Sequence, residues 1–331
     1  MKAQILHKPA PIESSPLQWI DYQQPSPADD ELLIKVSACG VCHTDLHVTE
    51  GDLPAPMLPI IPGHQIVGVI KSAGKDATRF QQGTRVGIPW LHQTCGECEY
   101  CLHGQENLCE HALFTGYTAH GGFAEYTTIR ADFAVPLPDE LSDEEVAPLL
   151  CAGIVGYRSM RLSDVEPGER LGLYGFGASA HICIQIARHW NCEVYAFTRS
   201  AEHQKHALQL GAVWAGQAQD KPPQKLDRAI IFAPAGWIVP LALGHIRKAG
   251  TLCINAIHTS PIPEMPYSLL WHERTIRTVA NATRQDAEEF LPLAAEIGIQ
   301  TTTQSFDLAD ANNALQMLKR SEINGSGVLV I

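Results

Sequence analysis

Apolar positions in the first 147 residues fall in short runs, at residues 32–36, 66–70 and 123–129, with Gly and Pro clusters between them. Runs of that length bounded by turn formers predict strands, so this stretch is expected to be β-rich and turn-rich. Two turn-dense regions interrupt it, at residues 51–64 and 95–109. Such regions suit functional or metal-held loops better than linkers. The pattern changes at Ser142-Asp143-Glu144-Glu145, where a capping hydroxyl precedes acids in a first turn. That is a helix start, and the spacing predicts a helix over 142–157 through Val146, Leu149 and Leu150. Strands are then expected at 170–174, 193–197, 226–232, 250–254 and 275–280, with helices at 181–190 and 201–210. Alternating β and α elements of these lengths indicate an α/β unit, a doubly wound parallel sheet with helices on both faces. Beyond residue 285 the pattern gives a helix at 287–297, a strand at 306–308, a helix through Leu318 and a last strand at 327–331.

A chain of 331 residues accommodates two domains, each with its own core. Its net charge of -12 speaks against nucleic-acid or anionic-membrane partners, which require a basic face. No apolar run is long enough to span a bilayer and no secretory signal is visible at the start, so a cytoplasmic location is expected. In that compartment the ten cysteines are expected to be reduced, and clustered ones to bind metal.

Cys95, Cys98, Cys101 and Cys109 follow C-x2-C-x2-C-x7-C spacing. Four thiolates so close in sequence can surround one zinc tetrahedrally with no position left for substrate, which is a structural site.

Residues 171–180, LGLYGFGASA, read as strand, then G-x-G-x-x-A, then helix. Gly175 permits the tight turn, Gly177 lets a pyrophosphate approach the backbone, and Ala180 lets the helix pack close to the strand. The chain is therefore expected to bind NAD(P)(H) on a Rossmann unit. The end of the second strand reads Thr198-Arg199-Ser200 and carries no acid. A hydroxyl followed by a guanidinium suits a 2′-phosphate, with His203 one turn on, so NADP(H) is favoured over NAD(H).

CGVCHTDLH, PGHQIVG, the four-cysteine loop, LLCAG and GFGASA occur in that order along the chain. This order resembles that of the zinc-dependent medium-chain alcohol dehydrogenases, and the resemblance covers essentially the whole chain. It implies a GroES-like catalytic domain at 1–147, a Rossmann cofactor domain at 148–282, and a C-terminal segment, 283–331, that returns to the catalytic domain. It also implies a second, catalytic zinc held by Cys42, His64 and Cys151, two thiolates and an imidazole that leave a fourth position for water or an alcohol oxygen. Asp45 is similar to the carboxylate that fixes the zinc-binding histidine, and Thr44 to the hydroxyl that contacts the alcohol. His47 resembles the outer end of a proton relay running from Thr44 through the cofactor ribose to solvent. His43 resembles a basic residue on the pyrophosphate, and Leu53 and Trp90 resemble pocket-lining positions. Cys39 falls outside the family's ligand set and is expected to be a small buried residue.

The resemblance further implies zinc acting as a Lewis acid on a primary alcohol or aldehyde, with the nicotinamide exchanging a hydride. Three positions depart from the pattern. Gln65 stands in place of a usual glutamate, Val155 in place of a threonine, and Ser326 where an arginine often clamps the pyrophosphate. None removes a zinc ligand. Leu53, where ethanol-preferring relatives carry tryptophan, implies a wider pocket for longer, branched or aromatic substrates. Two alternatives are a polyol or sugar dehydrogenase of the same fold and a noncatalytic NADPH-binding zinc redox sensor; LLCAG and the open zinc set speak against them. A homo-oligomer is expected, paired through residues 250–257 and 271–280 at the edge of the Rossmann sheet.

Overall fold

The computed structural model describes residues 1–53 and 57–331; residues 54–56, within the turn region at 51–64, lie outside the described residues. The chain divides into two units, the first made of Met1–Cys151, Thr283–Ala295 and Gln300–Ile331, the second of Ala152–Ala282 and Glu296–Ile299.

In the first unit the apolar run at 32–36 grows into an 11-residue strand, Glu31–Val41. Leu32, Leu33 and Ile34 are all buried, so both faces of this strand are covered, which a continuous apolar run rather than an alternating one allows. It pairs antiparallel with Gln65–Ala73, Tyr126–Arg130 and Ser326–Val330. The sheet runs Thr303–Asp307, Ser326–Val330, Glu31–Val41, Gln65–Ala73, Arg85–Ile88, Val135–Pro136, with Tyr126–Arg130 also on the central strand. Ile5, Ile34, Ile60, Phe123 and Phe133 share one core with Ala311, Ala314, Leu315 and Leu329 from the far end of the chain. Helix Ala311–Lys319 supplies three of these at i, i+3 and i+4, a single buried stripe.

In the second unit six parallel strands are ordered Trp214–Gly216, Glu193–Phe197, Arg170–Tyr174, Leu226–Ile231, Ile246–Ile254, Thr275–Thr278. Numbered along the chain this is 3-2-1-4-5-6, the doubly wound order, whose ligand crevice lies between the first and fourth strands. Tyr174, Phe197, Leu226, Val239 and Leu243 fill one side of the sheet. Among the described residues no helix is long and apolar enough to cross a membrane.

The single helix expected over 142–157 is a correction. The start forms as read, with Ser142 and Glu145 in a reciprocal capping box. The α-helix then covers only Asp143–Val146, gives way to a 3-10 turn over Ala147–Leu150, and stops at Cys151 (φ -128°, ψ -75°) before helix Ala152–Leu162 begins. Pro148 has no N–H for the ladder and its ring crowds the preceding turn, so the helix cannot run through. The break falls on a cysteine that matters for the site.

Candidate metal centres and cofactor site

The antiparallel register of Glu31–Val41 with Gln65–Ala73 pairs Gly40 with Gln65. Cys42 and His64 therefore lie just beyond the last pair, and Cys42 Sγ is 3.3 Å from His64 Nε2. The helix break brings in Cys151: the donor atoms of Cys42, His64 and Cys151 all lie within 4.8 Å of one another. Two thiols and an imidazole converging in this way form a donor set suited to zinc with a position left open.

Asp45 orients this trio. It is 2 % exposed, and its Oδ1 lies 2.9 Å from His64 Nδ1 while accepting from the Gly63 N–H at 3.1 Å. Its Oδ2 accepts from the Cys42 N–H at 2.9 Å. With Nδ1 directed to the carboxylate, Nε2 is the imidazole nitrogen left facing the thiols. Burial pushes Asp45 up. Burial pulls His64 down, but the neighbouring Asp45, Cys42 and Cys151 outweigh it and hold the imidazole well above its ordinary value. The Cys42 thiol is held well below its ordinary value, first by a hydrogen bond from Cys151 and then, against burial, by His64. Cys151 is pushed up by the other side of that bond and by burial. Cys39 behaves differently: it is fully buried, its thiol bonds the Gly40 carbonyl, and burial pushes it up.

Cys42 also caps helix His43–Glu50, its Sγ accepting from the Thr44 N–H at 3.3 Å. The helix places Thr44 half-buried, His43 exposed, and His47 beside Asp52, with Nδ1 to Oδ2 at 2.8 Å. Trp90 stands edge-on to His64, ring centroids 5.0 Å apart at 81°. Its indole is backed by Phe114 at 5.3 Å and Tyr117 at 5.8 Å, both nearly parallel to it. Leu53 is partly buried against the core of the first unit. Gln65 is buried, so an uncharged amide occupies the interior one residue from His64.

In the four-cysteine loop the Sγ separations are 3.5 Å for Cys98–Cys101, 3.5 Å for Cys95–Cys109 and 3.9 Å for Cys95–Cys101. These are too long for disulfides. They match the edges, roughly 3.8 Å, of a tetrahedron with zinc–sulfur bonds of about 2.3 Å. Backbone N–H groups of Glu97 and Cys98 directed at Cys95 bring its thiol down to about 6. The loop is tied down by Glu106, whose side chain is 8 % exposed. Its carboxylate takes the Arg284 backbone N–H at 2.8 Å, Nε at 2.9 Å and an Nη at 2.6 Å. The Arg284 guanidinium lies 4.5 Å over the Phe133 ring.

In the second unit Gly175 sits at φ +90°, where a Cβ would meet the Ala233 backbone nitrogen at 2.9 Å, so the turn requires glycine. Gly177 opens helix Ala178–His189 with no side-chain cap, and a Cβ there would meet nothing within 4 Å. An uncapped helix N-terminus facing open space suits a pyrophosphate. Ala180 is fully buried behind it. Thr198 and Arg199 follow strand Glu193–Phe197; Arg199 is exposed and has no hydrogen bond or ion pair among the described residues. His203 is exposed on the next helix, its N–H capped by Ser200.

Sequence reasoning missed three features: Asp52 beside His47, the Glu106–Arg284 pair, and the Phe114 and Tyr117 backing of Trp90. Only Asp52 left a local signal, an acid directly after the glycine that ends its helix.

Two family models match the chain, "Alcohol dehydrogenase GroES-like domain" over residues 28–139 and "Zinc-binding dehydrogenase" over residues 180–296. The "Probable alcohol dehydrogenase AdhA" of Mycobacterium tuberculosis is 48% identical over 337 residues, covering 100% of this chain and 97% of that protein. The chain belongs to the zinc-binding alcohol dehydrogenase family. An alcohol dehydrogenase of Geobacillus stearothermophilus is 36% identical over 322 residues, covering 95% of each chain. Among solved structures, a cinnamyl alcohol dehydrogenase of Sorghum bicolor is similar with a TM-score of 0.90 at 26% identity, over 99% of this chain and 97% of that one. The alcohol dehydrogenase of Aeropyrum pernix is similar with a TM-score of 0.87 at 26% identity, over 100% of both. The GroES-like plus Rossmann architecture expected for the family is the one observed.

Proposed function

We propose that this protein interconverts primary alcohols and aldehydes, using a catalytic zinc held by Cys42, His64 and Cys151 and NADP(H) on the parallel-sheet unit. The observation that carries this reading is the convergence of the trio on a buried His64, with the Nδ1 of His64 engaged by Asp45 and its Nε2 left for a metal. When bound, zinc supplies a Lewis acid for the substrate oxygen and the nicotinamide supplies a hydride acceptor or donor. Asp45 fixes the tautomer of His64. The Thr44 hydroxyl takes the substrate proton, and His47 passes it to solvent. Trp90, held by Phe114 and Tyr117, gives the site a flat apolar wall, and Leu53 leaves room for substrates larger than ethanol. Cys95, Cys98, Cys101 and Cys109 hold a second, structural zinc.

On the cofactor side, Gly175, Gly177 and Ala180 form the pyrophosphate turn, and the His43 imidazole would donate a hydrogen bond to the pyrophosphate. Thr198 and Arg199, with His203, take the 2′-phosphate; the absence of any partner on Arg199 among the described residues supports this. Tyr267 (69 %) and Trp271 (55 %) are exposed ahead of edge strand Thr275–Thr278, which favours association with a second copy through that edge.

A matrix of NAD and NADP against ethanol, butanol, cinnamyl alcohol and a polyol, with zinc measured on the same protein, tests the reading. Two zincs per chain, higher kcat/KM with NADP, and butanol or cinnamyl alcohol above ethanol are expected, with Arg199→Asp reversing the cofactor preference. Preference for the polyol points instead to the sugar-alcohol branch of the fold. Zinc without turnover on any pair overturns the enzymatic reading in favour of a redox sensor.

A further inference from the structure

The C-terminal turn of helix His43–Glu50 folds back on the helix. Gly51 takes φ +85°, a conformation that favours glycine, and the N–H groups of Gly51 and Asp52 both donate to the His47 carbonyl at 3.0 Å. A Cβ on Gly51 would in addition meet Pro9 Cβ at 2.9 Å, so the turn is held from outside as well. This geometry returns the Asp52 carboxylate to the ring of the same residue whose carbonyl anchors the turn, with Oδ2 2.8 Å from His47 Nδ1. His47 Nε2 has no partner among the described residues, and the His47 side chain is 30 % exposed.

We propose that Asp52 is a positioning residue for proton release: it accepts the Nδ1 hydrogen of His47 and so makes Nε2 the nitrogen that takes the substrate proton and hands it to solvent. The inference rests on the reading above in which His47 ends the relay. A neutral imidazole carries one hydrogen, and which nitrogen bears it is set by the partner of the other nitrogen. Without Asp52 the hydrogen distributes over both nitrogens, and a fraction of the molecules present a donor where the relay requires an acceptor. Because the pair is solvent-exposed it adds little to stability. Loss of Asp52 is therefore read in proton transfer and not in folding.

The test uses zinc-loaded protein and two readouts. Long-range proton–nitrogen NMR, with the His47 signals assigned by their loss in His47→Gln, is expected to show the Nδ1–H form in the parent and a mixture in Asp52→Ala. Single-turnover reduction of NAD(P) by alcohol in dilute buffer is expected to slow roughly 10-fold in Asp52→Ala, below the 10²–10⁴ of a general base itself. The KM for alcohol should be unchanged, the rate should recover as MOPS is raised, and Asp52→Glu should keep the parent tautomer. An unaltered tautomer in Asp52→Ala, or slowing that no buffer relieves, overturns the inference. If His47→Gln slows turnover and Asp52→Ala does not, the inference alone fails. If His47→Gln itself turns over at the parent rate, the relay reading fails and this inference with it.

Discussion

The four-cysteine loop and the Cys42–His64–Cys151 trio are both metal-type donor clusters, yet they are built in opposite ways. The loop gathers its sulfurs from residues 95–109, and only Cys109 among them is buried. The trio draws on a strand end, a second strand's start and a helix break, spread over residues 42–151, and rests on the buried carboxylate of Asp45. A local cluster can be assembled by the metal itself. A scattered one must be prepared by the fold, so it can hold strained or open geometry. On the proposed reading, stability belongs to one and chemistry to the other.

The sharpest way to break this contrast is to remove one ligand from each. His64→Ala is expected to lose one zinc and all measurable turnover, and also to lower Tm, because it leaves the Asp45 carboxylate buried without its imidazole partner. Cys98→Ala is expected to lose the other zinc and lower Tm by roughly 10 °C, with kcat of the folded protein nearly unchanged. Zinc counts, Tm and kcat on both variants decide it; equal effects on turnover would erase the distinction. Next in size is Asp45→Asn, which keeps the shape but removes the carboxylate charge facing Nδ1 of His64. Zinc affinity or activity at the trio should fall roughly 10–100-fold, the scale for partners of metal-binding histidines. Metal-buffered titration measures this, and Cys39→Ala, on the strand three residues before Cys42, should leave the affinity unaltered. The smallest effect is expected for Arg284→Ala. It leaves Glu106 buried with fewer donors, at a cost of about 2 kcal/mol, and lowers Tm by roughly 5 °C. The lobe should release zinc faster to a chelator while the trio keeps its metal.

What could be read in advance follows the same division. The loop was legible from spacing because its geometry is local, and so was the Rossmann turn, where Gly175, Gly177 and Ala180 each answer a backbone demand. The trio was legible only through resemblance, since nothing in the spacing of Cys42, His64 and Cys151 predicts the Gly40–Gln65 register that joins the first two. The break at Cys151 was missed because apolar periodicity through Val146, Leu149 and Leu150 outweighed a single Pro148, whose missing N–H prevailed. Glu106 and Arg284 stand 178 residues apart, beyond any pattern in the chain. Asp52 depended on the direction of a side chain after a left-handed glycine, which sequence carries only faintly.

Strand Ser326–Val330 is hydrogen-bonded between Thr303–Asp307 and Glu31–Val41. During synthesis, residues 31–41 emerge long before their partner exists, and the growing chain presents an unpaired sheet edge throughout that interval. All four sulfurs of the cysteine loop, by contrast, emerge close together, between residues 95 and 109. The trio gains its strand support only after residue 330 has left the ribosome. On the proposed two-zinc reading, the loop's ion would be loaded first and the trio's last, and a chain released early would carry zinc without ever becoming an enzyme.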